Sequence, residues 1–252
     1  MIEKWSIGFP APTGEEPRHV YVYTPEGDQD MRYPVLYMFD GHNVFFDEDA
    51  TYGKSWGMAE FAEESALPMI IVAVECNHSP EHGRLQEYSP FTFDMQDGTR
   101  VVGRGRTTMD WLVHKLKPVI DAHYPTLPER KYTFLAGSSM GGLISLYGVC
   151  RFNHVFSRAA CLSPSLWVAP TKINRLIRSA DIGDDTVVYM DYGQRELEGR
   201  QKMSQYFGKV CQQLLEKGVL LNSRIVPGGT HCEASWEQQI PFFMGTLFNG
   251  LD

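Results

Sequence analysis

Apolar residues along this chain fall into two patterns that alternate: short, nearly continuous runs, and longer stretches spaced by threes and fours. The continuous runs, bounded by Gly, Pro and Asp, are Val35 to Phe39, Met69 to Glu75, Tyr132 to Ala136, Ala159 to Leu162, Thr186 to Met190 and Asn222 to Val226. Several are apolar almost throughout, as strands covered on both faces are. Two earlier runs, Glu3 to Phe9 and His19 to Thr24, flank the Pro/Gly-rich Pro10 to Pro17 and predict an antiparallel pair at a sheet edge. Helical spacing is clearest over Thr107 to His123, where Leu112, Val113, Leu116, Val119 and Ile120 line one face. Thr107 and Asp110 fit a capping pattern there, and Pro118 predicts a kink or a division. Further helices are expected over Met140 to Cys150, Thr171 to Ala180, Glu198 to Lys217 and Glu233 to Asn249.

This alternation predicts an α/β fold with a mostly parallel central sheet, an antiparallel N-terminal edge and helices on both faces. A chain of 252 residues can bury one full core of that kind, so residues 1–252 are expected to form one domain. Asn77 to Gly105, rich in Gly, Pro, His and charge, fits neither period and is expected to be a long loop over the sheet's carboxyl edge. Within it His78 and His82 stand four apart. Pro80 between them argues against the regular helix that such a metal pair uses, so neither a metal nor a cofactor is expected.

Charge narrows the partners. A formal net charge of −8, with Lys and Arg scattered along the chain, supplies no basic surface for phosphates, which argues against nucleic acid. Nowhere do about 18 apolar residues run together, and the first residues lack a signal peptide's apolar stretch. A soluble, cytoplasmic protein without a membrane partner is therefore expected. The five cysteines are odd in number and show no CxxC spacing, which argues against a disulfide framework or a zinc ribbon. Most are expected as small buried hydrophobes, and Cys232 beside His231 reads the same way.

The chemistry is carried by Gly137-Ser138-Ser139-Met140-Gly141-Gly142, which follows a predicted strand and precedes a predicted helix. In that setting Gly-x-Ser-x-Gly holds the middle serine on a sharp turn, with glycines where Cβ atoms would clash. Ser139 is the expected nucleophile. The N–H of Met140, at the helix start, is an expected oxyanion donor. The acid and the base of such a triad follow in chain order. The run Thr186 to Met190 leads to Asp191 and Glu196, and the last strand leads through Gly228-Gly229 to His231. His231 is the expected base. Both carboxylates remain candidates for the acid, with Glu196 favoured because Asp191 still belongs to the strand end. A second oxyanion donor is expected from the turn after an early strand, at the backbone N–H of His42.

These residues resemble the putative-esterase family of α/β-hydrolases, which includes enterochelin esterases, esterase D, feruloyl and acetyl xylan esterases and the antigen 85 mycolyltransferases. The resemblance rests on Tyr37-Met38-Phe39-Asp40-Gly41, on the elbow around Ser139, on Leu162-Ser163-Pro164-Ser165-Leu166-Trp167, on Gly193 with Glu196, and on Gly229-Thr230-His231 with Trp236. It implies a triad of Ser139, Glu196 and His231 and an oxyanion hole at His42 and Met140. It further implies a bracing ion pair between Arg84 and Glu87, while Trp56 and Trp167 are candidate pocket residues.

The expected activity is hydrolysis of a small-molecule or carbohydrate ester, with small acyl, feruloyl or acetylated sugar esters as candidates. Three other readings stand beside it: a siderophore trilactone esterase using Lys54, Arg84, Arg104 and Arg106 against an anionic substrate, an acyltransferase on the same residues, and a binding protein without chemistry. A homo-oligomer is compatible with each.

Overall fold

The computed structural model describes residues 1–27 and 30–251. Its strands are β1 (Ile2–Ala11), β2 (Gly14–Tyr23), β3 (Val35–Phe39), β4 (Ile70–Val74), β5 (Phe93–Asp94), β6 (Arg100–Val101), β7 (Thr133–Ser138), β8 (Arg158–Leu162), β9 (Val187–Gly193) and β10 (Leu220–Val226). Eight of them form one sheet in the order β1-β2-β4-β3-β7-β8-β9-β10, and β5 and β6 form a separate hairpin. Within the large sheet β1, β2 and β4 pair antiparallel, while β4 through β10 run parallel. This is the mostly parallel sheet with an antiparallel edge that the alternating pattern predicts, in the α/β-hydrolase arrangement that the family resemblance implies. One detail differs at the edge: the strands run through Pro10 and Glu15 to a tight turn at Pro12-Thr13, so most of the Pro/Gly-rich segment is paired rather than connecting.

The central strands are buried on both faces, which explains their unbroken apolar sequence. The two-residue period divides their side chains between two cores. Val35, Tyr37 and Phe39 meet Leu112, Leu143, Ile173 and Leu214 on one side. Leu36 and Met38 meet Met58, Ala62, Phe243 and Leu247 on the other. Helices Gly105–Trp111, Lys117–His123, Met140–Arg151, Pro170–Ser179 and Gln201–Glu216 cover the first face, and Met58–Glu64 and Ile240–Phe248 cover the second.

Several expectations need correction. Pro118 divides its helix one turn early: Leu112–Leu116 winds as a π-helix, and Pro118 lies at the start of the next α-helical segment, where its missing N–H costs little. That helix begins after Arg104 with no side-chain cap, so Thr107 and Asp110 cap nothing. The C-terminal stretch is two helices, Glu233–Glu237 and Ile240–Phe248, with Pro241 opening the second. Asn77 to Gly105 is not one loop: it contains the helix Gly83–Tyr88 and the β5–β6 hairpin.

The ion pairs of that segment also differ from expectation. Arg84 and Glu87 do not pair with each other. Glu87 receives two hydrogen bonds of 2.6 Å from Arg18 on β2, both partners being buried, and Arg84 makes two to Asp40 at the end of β3. Glu87 thus reaches β2 and Arg84 the turn after β3, and together they pin the segment to the sheet.

Candidate active site

Ser139 sits between β7 and the helix Met140–Arg151 with φ 57° and ψ −117°, a left-handed conformation rare for a residue with a side chain. Holding it costs about 1–3 kcal/mol, which the packed surroundings must offset. Those surroundings are visible. Ser139 N–H donates to Leu162 O at 2.9 Å, its carbonyl accepts from Ser165 N–H and Leu143 N–H at 3.0 Å each, and the helix behind is buried from Met140 to Cys150. Glycine is required at position 137 because a Cβ there would lie 2.7 Å from the Gly141 carbonyl carbon. Ser139 Oγ has one hydrogen bond among the described residues, with Ser165 Oγ at 3.4 Å, and makes none to His231.

His231 and Glu196 are brought together by two loops in backbone contact. A Cβ on Gly193 would lie 2.4 Å from the Gly229 carbonyl carbon, so only glycine lets the end of β9 approach the turn after β10 this closely. Arg195 N–H donates to Gly229 O at 3.1 Å across the same contact. The result is His231 Nδ1 at 2.6 Å from Glu196 Oε2. Nε2 is left for the cleft, and the imidazole stacks edge-on against Trp236 with ring centres 5.0 Å apart.

Glu196 is fixed rather than mobile. It lies in the helix Gln194–Leu197, buried, with Oε1 accepting from Gly193 N–H at 2.9 Å and Ser163 Oγ at 2.6 Å. Burial alone would push its carboxyl up, but the bonds from His231, Ser163 and Gly193 outweigh it and hold the carboxyl below its ordinary value. Trp236 Nε1 donates to Ser163 Oγ at 3.1 Å and completes the clamp. Asp191 faces elsewhere. It accepts from Tyr189 Oη at 2.7 Å and Ser163 N–H at 3.2 Å, and burial pushes its carboxyl up to about 6.

Asp40, with φ 60°, turns the chain after β3 into the short 3-10 helix Gly41–Asn43. Burial opposes a charge on Asp40, yet the Arg84 guanidinium outweighs it and holds the carboxyl low. The turn leaves the backbone N–H of His42 without a protein acceptor among the described residues, and the same holds for Met140 N–H at the start of its helix. Both residues border the region in which an oxyanion donor is expected, His42 in the cleft wall and Met140 directly after Ser139.

The cleft that His42 lines has a volume of about 500 Å³ and contains Ser139 and His231 in its lining. Trp56 and Trp167 are not part of it. Trp56 is core, against Trp236 and Phe243, and Trp167 packs edge-on against Phe93. Two residues that local pattern did not mark are Ser163, bonded to Glu196 outside the cleft lining, and Glu233 in the lining, two residues beyond His231, whose carboxyl is pushed up by burial. The run Ser163-Pro164-Ser165 carried a signal only through the family resemblance; Glu233 carried none.

Comparison with known proteins gives the following. The family described as Putative esterase matches residues 12–244. The uncharacterized protein YbbA of Bacillus subtilis (strain 168) is 24% identical over 192 residues, 74% of this chain and 72% of YbbA. The IroE-like serine hydrolase from Shewanella oneidensis superposes with a TM-score of 0.73 at 20% identity, covering 97% of this chain and 79% of that one. The enterobactin and salmochelin hydrolase IroE does so with a TM-score of 0.68 at 20% identity, covering 97% and 96%. At such identities the structural likeness establishes the fold.

Proposed function

This chain belongs to the Putative esterase family and is a hydrolase of ester bonds, and from that premise we propose that it is a serine carboxylesterase using Ser139, His231 and Glu196 on an uncharged ester. The observation that carries this reading is the 2.6 Å contact between His231 Nδ1 and Glu196 Oε2 beside a strained serine on the same cleft.

In the proposed reaction Ser139 Oγ attacks the ester carbonyl while His231 Nε2 takes its proton. Glu196 stays ionised and stabilises the imidazolium. The N–H groups of His42 and Met140 receive the oxyanion, a kind of contact worth roughly 3–4 kcal/mol when removal of one such donor is measured in other enzymes. His231 then protonates the leaving alcohol, and water repeats the steps to free the acid. The hydroxyl of Ser139 is not bonded to His231 in the free protein; such bonds often tighten only once substrate is bound.

Charge supports an uncharged substrate. Among the described residues Arg84 is the one Lys or Arg in the cleft lining, and Asp40 neutralises it. Of the other cations considered for an anionic ligand, Lys54 pairs with Glu237, Arg104 bonds Pro10 O and Arg106 pairs with Asp110. IroE is described as a hydrolase of enterobactin and salmochelin, but a ferric catecholate is anionic and this cleft offers it no unpaired guanidinium or ammonium. Small acyl, feruloyl and acetylated sugar esters fit better.

The test is product analysis by chromatography and mass detection on a mixed panel of acetyl, butyryl and feruloyl esters, acetylated xylo-oligosaccharides and a catecholate trilactone, with glycerol present as a competing acceptor. The expected result is release of free acid from an uncharged ester, absent with Ser139→Ala. Preferential cleavage of the trilactone would overturn the substrate class, and acyl glycerol as the main product would make the chain an acyltransferase.

A further inference from the structure

One cluster of side chains in the cleft wall has no part in the proposed hydrolysis, which uses His42 only through its backbone N–H. His42 comes from the turn after β3, and Cys76 and His78 from the stretch just after β4, and each puts one ligand atom within 4.8 Å of the other two. Sequence pattern paired His78 with His82; the fold pairs it with His42, whose ring lies 4.5 Å away, centre to centre.

The outer contacts define which atoms are free. His42 Nε2 is engaged by Thr51 Oγ1 at 3.0 Å, while His42 Nδ1 is buried without a hydrogen-bond partner. The residue as a whole is 6% exposed. An unpaired buried polar atom of this kind costs about 1–3 kcal/mol and calls for an explanation. His78 Nε2 lies 3.6 Å from Glu75 Oε1, the carboxylate-to-imidazole contact that orients metal-binding histidines, which leaves its Nδ1 available. Cys76 is buried, forms no disulfide, and its thiol bonds to the Asp40 carboxylate.

We propose that His42 Nδ1, Cys76 Sγ and His78 Nδ1 form a binding site for a borderline-soft divalent cation such as Zn²⁺, with a fourth position open to the cleft. Two imidazoles and a thiolate suit that class of ion, whereas Mg²⁺ and Ca²⁺ require oxygen ligands. Bond lengths of about 2.0–2.3 Å to a tetrahedral ion put ligand atoms roughly 3.3–3.7 Å apart, so the cluster must close by about 1 Å from its present spacing. His78 makes that movement possible, being half-exposed on the turn before the helix Gly83–Tyr88. Binding converts the Cys76 thiol to a metal thiolate and releases its proton to solvent, because burial keeps that thiol protonated when no cation is present. Its ligand atoms are side-chain atoms that the reaction assigned to Ser139 does not use, although His42 also carries the backbone N–H proposed for the oxyanion.

Cobalt(II) reports on it directly, since a cobalt thiolate bond gives a near-ultraviolet charge-transfer band. The reduced, full-length chain is titrated with Co²⁺, and Zn²⁺ is then added in competition. The expected result is a band that saturates at one cobalt per chain, is lost on adding one equivalent of Zn²⁺, and is absent in Cys76→Ser. His78→Ala should weaken binding by at least the roughly tenfold that loss of an outer partner costs, and Glu75→Gln by about tenfold. Cys232→Ser, beside His231, should leave the band unchanged. Circular dichroism of each variant separates loss of the site from loss of the fold. No band in the folded wild-type protein, a band that survives Cys76→Ser, or unchanged affinity in folded His78→Ala would each overturn the site.

Discussion

Replacing Ser139 by alanine should lower turnover on the best ester substrate by about 10⁶-fold, as removal of the nucleophile does in other triad hydrolases. The loss is this large because the other parts of the site cannot substitute for it. Ser165 Oγ lies 3.4 Å away, but no described contact joins it to His231. Ser138 is the last residue of β7 and precedes the strained turn. A double variant, Ser139→Ala with His231→Ala, should cost little more than the single one, since the two residues act as a unit. Steady-state kinetics with active-site titration read both. The alanine relieves no clash, so the folded protein should persist, with a small gain in stability if any: alanine keeps the positive φ that only glycine would relax.

The second large effect lies at the acid. Glu196→Gln should reduce kcat by roughly 10⁴-fold, in the range found when the triad carboxylate alone is lost, and Asp191→Asn should change it far less. The contrast follows from the hydrogen bonds. Glu196 Oε2 meets His231 Nδ1, and an amide there presents either an N–H, which forces the wrong tautomer, or a neutral oxygen, which cannot stabilise an imidazolium. Asp191 is turned to Tyr189 and to Ser163 N–H. Because burial pushes its carboxyl up to about 6, its ionised form is disfavoured in the fold. The sign follows: a raised carboxyl pKa makes the charge a cost that grows as pH rises from the unfolded value near 4 through about 6 and is full above it. Asp191→Asn removes that cost, so its effect should be read in unfolding midpoints at neutral pH more than in kcat. A larger kinetic loss in Asp191→Asn than in Glu196→Gln would reverse the assignment.

Much of the sheet was legible because its strands are covered twice. Val35 to Phe39 and Ile70 to Val74 are buried at every position, and such runs need no partner in the sequence to be recognised. The strained turn at Ser139 was legible for a related reason: a strand, a glycine-flanked serine and a helix impose one local geometry. Contacts between distant segments were not. Arg84 and Glu87 stand three apart and look like partners, yet their true partners lie 44 and 69 residues away in sequence. The helix Gly83–Tyr88 hid because it begins after His82 at φ 61° and is too short to show a period. Trp56 and Trp167 show the same limit, since an aromatic's place in core or cleft depends on which loops fold over it. Glu196 was placed on the correct strand end, but its rigidity comes from Ser163 and Trp236, which no local pattern connects to it.

The central claim is that Ser139 is the nucleophile of an esterase, and labelling with a fluorophosphonate tests it most directly. The account predicts one adduct per chain, found by peptide mass analysis on Ser139, with esterase activity falling in proportion to labelling. An adduct on Ser138 or Ser165 instead, or full activity in protein whose Ser139 is labelled, would contradict it.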